Sequence, residues 1–183
     1  MDDIVDEVQE DTQTLIILTG NIGCGKTTVT NWLMEQYEGR KIVSISNDAI
    51  YMMTGNGDYR RYQPVLGEMY REMFIKCVCA AIDAGATIIC DNSHMSVKSR
   101  RELIKIATDA GIPVTSIDMG MGDADSLKRR QEAEDDRRTA NSVWCLVHQR
   151  FAKNYEPPTV DEGFAGVVTG EEIWEIINAE EDM

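Results

Sequence analysis

One stretch of this chain has residue types and spacing that do recognisable chemistry: Gly20-Asn21-Ile22-Gly23-Cys24-Gly25-Lys26-Thr27-Thr28. Its core, Gly20 to Thr27, fits the pattern G-x-x-x-x-G-K-[ST]. The glycines let successive backbone N–H groups curl around phosphate oxygens. A helix that follows turns its positive end toward them. Lys26 can reach the β and γ phosphates, and the Thr27 hydroxyl can hold Mg²⁺. Gly20 to Thr28 is therefore expected to bind a nucleoside triphosphate. The loop leaves open whether the terminal phosphate goes to water, a small metabolite, a protein or a nucleic acid.

Phosphoryl transfer to a hydroxyl needs a carboxylate for the acceptor and positive charge over the moving group. Asp48 is placed for the first role, and its competing reading is a helix-cap or turn aspartate. Positive charge is concentrated in LKRRQEAEDDRR, from Leu127 to Arg138, where five bases stand beside four acids. That segment reads either as a solvated, salt-bridged helix or as a lid that excludes water and brings arginine to the γ-phosphate. GNGDYRRYQ, from Gly55 to Gln63, sets Arg60 and Arg61 between Tyr59 and Tyr62. Bases interleaved with aromatics suit a single nucleotide strand, and a polar loop with inward tyrosines is the other reading. Asn92 and His94 are further candidates for touching the acceptor. No N-K-x-D segment is present to read guanine, and IICDN has one carboxylate where a motor ATPase has adjacent acids.

These residues need a scaffold, and the pattern along the chain alternates strand and helix. Strands are expected at Thr14 to Gly20, Lys41 to Ser46, Ala86 to Asp91, Pro113 to Asp118 and Gly166 to Gly170. Helices are expected at Thr27 to Gln36, Pro64 to Ala84, Ser96 to Ala110 with Gly111 closing it, near Asp125 to Glu134, at Ser142 to Lys153 and in the last residues. Met69 and Met73, at helical spacing, are expected in the core. The alternation predicts an α/β fold: a central parallel sheet flanked by helices, with ligands outside the carboxyl ends of the strands. Gly20 to Thr27, Asp48, and Asp91 to His94 all fall there. Residues 1–183 read as a single domain.

Composition fits this picture. The chain of 183 residues has 18 Lys and Arg against 32 Asp and Glu, a net charge of −14. Residues 1–11 and 171–183 each carry six acids and no base, so the stretch between them is close to neutral, with 20 acids and 18 bases. Net charge therefore does not exclude a nucleic-acid partner. No apolar run approaches the ~20 residues of a membrane span, and the acidic start is unlike a secretory or transit leader. A cytosolic protein is the expectation, either the cell's own or phage-encoded in a host cytoplasm. The five cysteines lack zinc or redox spacing and read as reduced thiols, mostly small core residues.

Taken together, the motifs resemble the kinase domain of phage-type polynucleotide 5′-kinases and their small phage and bacterial relatives. LIILTGNIGCGKTT is similar to that family's opening strand and phosphate loop, and VSISNDAIY to its second-strand segment. TIICDNSHMSVKSRREL resembles the third-strand segment and the R-R helix after it. LKRRQEAEDDRR falls where the family has lid arginines. FAKNYEPPTVDEGFAGVV resembles the closing segment with E-x-P and E-G-F.

The resemblance spans Leu15 to about Val168 and implies a P-loop kinase fold with an Arg-bearing helical lid. It implies ATP with Mg²⁺, and Asp48 as general base. It makes Lys26 the phosphate lysine, Thr27 a metal ligand, and Asp91 the organiser of metal-bound water or of a lid arginine. Arg130 and Arg137 match the lid arginines, Arg130 also touching the nucleotide, with Arg138 as the competing register. Departures fall on the acceptor side: Asn47 replaces the usual Arg before the base, and Tyr51 stands where some members have an acceptor-phosphate Arg. The expected function is transfer of the γ-phosphate to a hydroxyl of a nucleic acid, DNA or RNA, foremost a polynucleotide 5′-hydroxyl. Alternatives are the hydroxymethyl group of a modified pyrimidine in phage DNA, a nucleoside or small-molecule acceptor, and a nucleotide-binding regulator without transfer chemistry.

Overall fold

A computed structural model of the protein describes residues 12–58, 61–122, 125, 128 and 141–181. Its five strands are β1 (Leu15–Thr19), β2 (Ile42–Ile45), β3 (Thr87–Cys90), β4 (Val114–Asp118) and β5 (Gly166–Thr169). They form one sheet in the order β2-β3-β1-β4-β5, and every neighbouring pair is parallel. The helices are α1 (Lys26–Gln36), α2 (Asn47–Thr54), α3 (Gly67–Asp83), α4 (Val97–Ala110), α5 (Asn141–Lys153) and α6 (Gly170–Glu181). Single 3₁₀ turns occupy Pro64–Leu66 and Val160–Glu162.

Strand periodicity divides the core into two layers. Successive side chains of a strand point to opposite faces. Leu15 and Ile17 pack with Tyr70, Phe74 and Val78 of α3 and with Leu103, Ile104 and Ala107 of α4. Ile16 and Leu18 pack with Val29 and Leu33 of α1 and with Ile173 and Ile177 of α6. All five residues of β1 and all four of β3 are buried. A parallel sheet covered on both faces requires such continuous apolar strands.

Local chemistry sets the helix ends. Ser96 caps α4 through a reciprocal pair with Ser99, and Gly111 ends it in the left-handed conformation at φ 72°. The buried set Arg100, Leu103, Ile104 and Ala107 follows i, i+3, i+4, i+7, so one face of α4 meets the sheet. Four points needed correction. The helix expected from Pro64 begins as a 3₁₀ turn and becomes α-helical only at Gly67. Helix α2 was unforeseen, although the Ser46 hydroxyl accepts the Ala49 N–H as an ordinary N-cap. Met73 packs against the core, but Met69 is 38% exposed. All five cysteines are free, but they are not mostly core residues: Cys90 alone is buried, Cys24, Cys79 and Cys145 are half-buried and Cys77 is exposed.

The buried charge on α4 has a specific partner. Arg100 is fully buried. Its Nε and Nη2 donate to the two carboxylate oxygens of Glu162 at 2.9 and 2.6 Å. Its Nη1 donates to the carbonyls of His94 and Glu156, each at 2.9 Å. Glu156 also ties back, its carboxylate accepting the Val97 N–H at 2.9 Å and its own N–H donating to Met95 O at 2.8 Å. The segment after α5 is thereby clamped to the start of α4 and to the loop after β3. Removing one partner of such a pair strands a buried charge. Glu162→Gln is expected to lower unfolding free energy by about 3–5 kcal/mol, read as a reduced urea midpoint with an unchanged slope.

Candidate active site

The phosphate loop joins β1 to α1 at the carboxyl edge of the sheet. Gly25 caps α1 at φ 95°, and no side chain caps that helix end. The first N–H groups of α1 are therefore left for an anion. A Cβ on Gly25 would sit 2.7 Å from the Trp174 ring, and one on Gly20 would sit 2.6 Å from Cys24 Sγ and 2.9 Å from Met119 Cβ. Side chains at either position would displace the loop. Backbone bonds hold it in place: Gly20 N–H to Ser93 O at 2.9 Å and Asn21 N–H to Gly120 O at 3.0 Å. The buried Asn21 side chain donates to His148 O of α5 at 3.1 Å, linking the loop to that helix. Lys26 Nζ lies within the loop and donates to Gly20 O and Asn21 O at 3.0 and 2.7 Å. Cys24 lies beneath it, and burial raises its thiol pKa despite the nearby Lys26 ammonium.

Opposite the loop are the ends of β2 and β3. Asp48 lies in the first turn of α2, exposed to the cavity. Its turn is fixed by Asn92, whose side-chain oxygen accepts the Asn47 N–H at 2.9 Å. Burial raises the Asp91 carboxyl above its ordinary value; the Lys26 ammonium opposes the shift and the Asp48 charge adds to it. His94 has φ 39° and gives its carbonyl to Arg100. Its Nε2 is shut off from solvent with no hydrogen-bond partner among the described residues. Burial, above all, lowers its imidazole to about 4.

One cavity of about 1250 Å³ connects these groups. Ile22, Gly23, Gly25, Lys26, Thr27 and Thr28 form one end of its wall, and Asp48, Tyr51, Asp91, Asn92 and His94 also line it. Gly20, Asn21 and Cys24 support the loop from behind. Tyr51 packs against Tyr62 and Tyr70, with ring centroids 4.5 and 4.9 Å away, tilted by 46° to the first and edge-on at 70° to the second. Its phenol is pushed up to about 12, chiefly by burial, then by the Tyr62 and Asp48 charges. Arg61 turns to Asp58 at 3.8 Å and is not part of this wall. Arg60, Arg130, Arg137 and Arg138 lie outside the described residues. Tyr70, Phe74, Lys98 and Arg101 also line the cavity and were not anticipated. The spacing of Lys98, Arg101 and Lys105, opposite the buried stripe of α4, is the sequence signal that could have found the basic members.

The donor set suits a hard cation. The Thr27 hydroxyl and the Asp91 carboxylate are among the groups that line the cavity, and the described residues contain no cluster of three His, Cys, Asp or Glu that could cage a metal. Mg²⁺ keeps much of its water and is bound by few protein ligands plus phosphates, so these residues fit it.

The sheet order, the loop and the uncapped helix define a P-loop kinase fold. The sequence profile of the AAA domain family matches residues 15–158, and the chain belongs to that family. The family so shown is broader than the phage-type resemblance. A chain of the Pnkp1/Rnl/Hen1 RNA repair complex is similar in structure, with TM-score 0.62 and 17% identity over 79% of this chain and 47% of that one. A fungal RNA kinase gives TM-score 0.57 and 15% identity over 91% of this chain and 42% of that one. This chain thus spans less than half the length of either RNA-processing protein. The Mycobacterium tuberculosis APS kinase CysC in complex with AMPPNP and APS gives TM-score 0.61 and 14% identity over 93% and 98%. At these identities the likeness is one of fold. No curated protein sequence matches the chain. No helix among the described residues is long and apolar enough to cross a membrane.

The His94 imidazole, shut off from solvent at Nε2, makes the fold sensitive to acid. Its depressed imidazole contributes stability above the ordinary value of 6.5, and that stability is lost as pH falls from 6.5 toward about 4. The loss in melting temperature over this window is expected to be smaller in His94→Gln than in the parent. NMR titration of the parent is expected to show the His94 imidazole neutral throughout pH 5–8.

Proposed function

We propose that the protein is an ATP-dependent kinase that transfers the γ-phosphate to a hydroxyl of a nucleic acid, foremost the 5′-hydroxyl of a polynucleotide. The observation that carries this reading is that Lys26 and Thr27 share one cavity with Asp48. A triphosphate held by the loop and a hydroxyl at Asp48 would meet across that space. Asp48 accepts the hydroxyl proton as the oxygen attacks the γ-phosphorus. The bond to the β–γ bridging oxygen breaks, and ADP leaves. Lys26 leaves its loop carbonyls for the phosphates and neutralises their charge, with lid arginines from Arg130, Arg137 or Arg138 adding to it. Thr27 and Asp91 would hold Mg²⁺, which supplies charge neutralisation at the β and γ oxygens.

The substitution of Tyr51 for a basic residue supports an acceptor held at that point by ring stacking rather than through a phosphate.

Radiolabelled γ-phosphate offered in parallel to 5′-hydroxyl oligonucleotides, duplex DNA containing hydroxymethyluracil, and free nucleosides tests the acceptor. Label on oligonucleotides is expected, whereas label on nucleosides alone would overturn the nucleic-acid reading. Asp48→Asn is expected to cut kcat by about 10²–10⁴-fold, the range of general-base catalysis, with nucleotide affinity by calorimetry unchanged. Near-normal turnover in that variant would remove Asp48 from the mechanism and favour a different base. A regulator without transfer chemistry would bind nucleotide and label none of the three.

A further inference from the structure

The cavity continues past Asp48 along α4, and its charge there is unusual for this chain. Acids outnumber bases 32 to 18 overall. The cavity wall reverses that balance, with six bases (Lys26, Arg71, Lys98, Arg101, Lys105 and Arg150) and three acids (Asp48, Asp91 and Glu102). Glu102 is already occupied, since both its oxygens accept Arg71 Nη2, at 2.6 and 2.7 Å. Asp48 and Asp91 belong to the reaction end. Beyond them Arg71 and Lys105 are paired, with Glu102 and Asp109, and Lys98 and Arg101 carry positive charge with no paired acid among the described residues.

That charge is ordered. Lys98, Arg101 and Lys105 stand at i, i+3 and i+7 and so share one face of α4. All three are exposed. Lys105 pairs with Asp109 at 2.5 Å, and Lys98 and Arg101 have no ion pair or hydrogen bond among the described residues. The helix begins beside the carboxyl edge of the sheet and runs away from it, so the stripe leads outward from Asp48. From Lys98 to Lys105 the axial rise is about 10 Å, so the stripe can meet more than one phosphate of an extended strand. Arg150 of α5 lines the same cavity.

We infer that this face of α4 is a track for the phosphates of the strand that follows the acceptor hydroxyl, with Lys98 and Arg101 as its principal contacts. The inference rests on the nucleic-acid reading above and adds the path of the strand. It is electrostatic and carries no sequence preference. Stacking on the tyrosine cluster at Tyr51 fixes the first nucleotide, and α4 holds the backbone beyond it, the combination that single-strand binders use.

The test measures binding and turnover separately. The probe is a single-stranded 5′-hydroxyl oligonucleotide of about 12 nucleotides, within the site sizes of single-strand binders, labelled with fluorescein at its 3′ end. Its affinity is followed by anisotropy across a salt series for the parent, Lys98→Ala/Arg101→Ala, and Lys76→Ala as an exposed control on α3. Loss of two phosphate contacts is expected to weaken binding on the order of tenfold and to reduce the slope of log affinity against log salt by about 1.4. Lys76→Ala is expected to match the parent. In the transfer assay the double variant is expected to raise KM for the long acceptor, leave kcat unchanged and leave a dinucleotide acceptor unaffected. Arg101→Lys is expected to restore most of the affinity in the Lys98 background. An unchanged slope and unchanged KM in the double variant overturn the track while leaving oligonucleotide transfer standing. Salt-sensitive binding that depends on α4, without transfer to any oligonucleotide, overturns the kinase reading and keeps the track. Equal loss of affinity for an acidic peptide of the same charge would show a general polyanion surface and overturn the assignment to a nucleotide strand.

Discussion

The site depends on the buried fork between Arg100 and Glu162. Arg100 reaches Glu162, the Glu156 carbonyl and the His94 carbonyl at once, so one guanidinium joins three separate parts of the chain. The loop after β3 cannot shift without losing a hydrogen bond to a buried charge, and such a loss is costly. That loop carries Asp91 and Asn92 into the cavity, and its Ser93 carbonyl holds the Gly20 N–H of the phosphate loop. The geometry of the reaction end is therefore inherited from a pair of residues that do no chemistry.

A second constraint is the parallel sheet itself. Parallel strands place their carboxyl ends along one edge, and the edge here brings the phosphate loop, Asp48 and Asp91 together from three different connections. Small bonds refine the positions. Asn92 ties the end of β3 to the start of α2, and Asn21 ties the phosphate loop to α5. Both asparagines occupy motif positions, yet their side chains hydrogen-bond to the protein's own backbone. This division of labour leaves Lys26, Thr27 and Asp48 to face the cavity.

Much of this was legible in the sequence. The strand–helix alternation gave all five strands to within a residue or two, because the strands of a covered parallel sheet are short, largely apolar runs that end in turn residues. The phosphate loop was legible because close backbone approach admits glycine and little else. Helix α2 was missed because its eight residues are too short for periodicity to show. Met69 was misplaced because the buried stripe of α3 runs through Tyr70, Phe74 and Val78, and Met69 lies one step round the helix from it. Arg61 was read toward an acceptor; it stands 3.8 Å from Asp58 and outside the cavity wall.

Two adjacent residues, Arg100 and Arg101, separate what each level decides. The sequence by itself determined the helix that bears them, through Ser96, the spacing of Leu103, Ile104 and Ala107, and Gly111. It also determined that consecutive residues on a helix diverge by about 100°. It could not say which arginine turns inward, since both are charged and neither is a natural core residue. The tertiary structure decided it by bringing Glu162 and two free carbonyls from distant parts of the chain to the position of Arg100. Only a full set of partners makes burial of a guanidinium tolerable. Arg101, one step round the helix, was left facing the cavity.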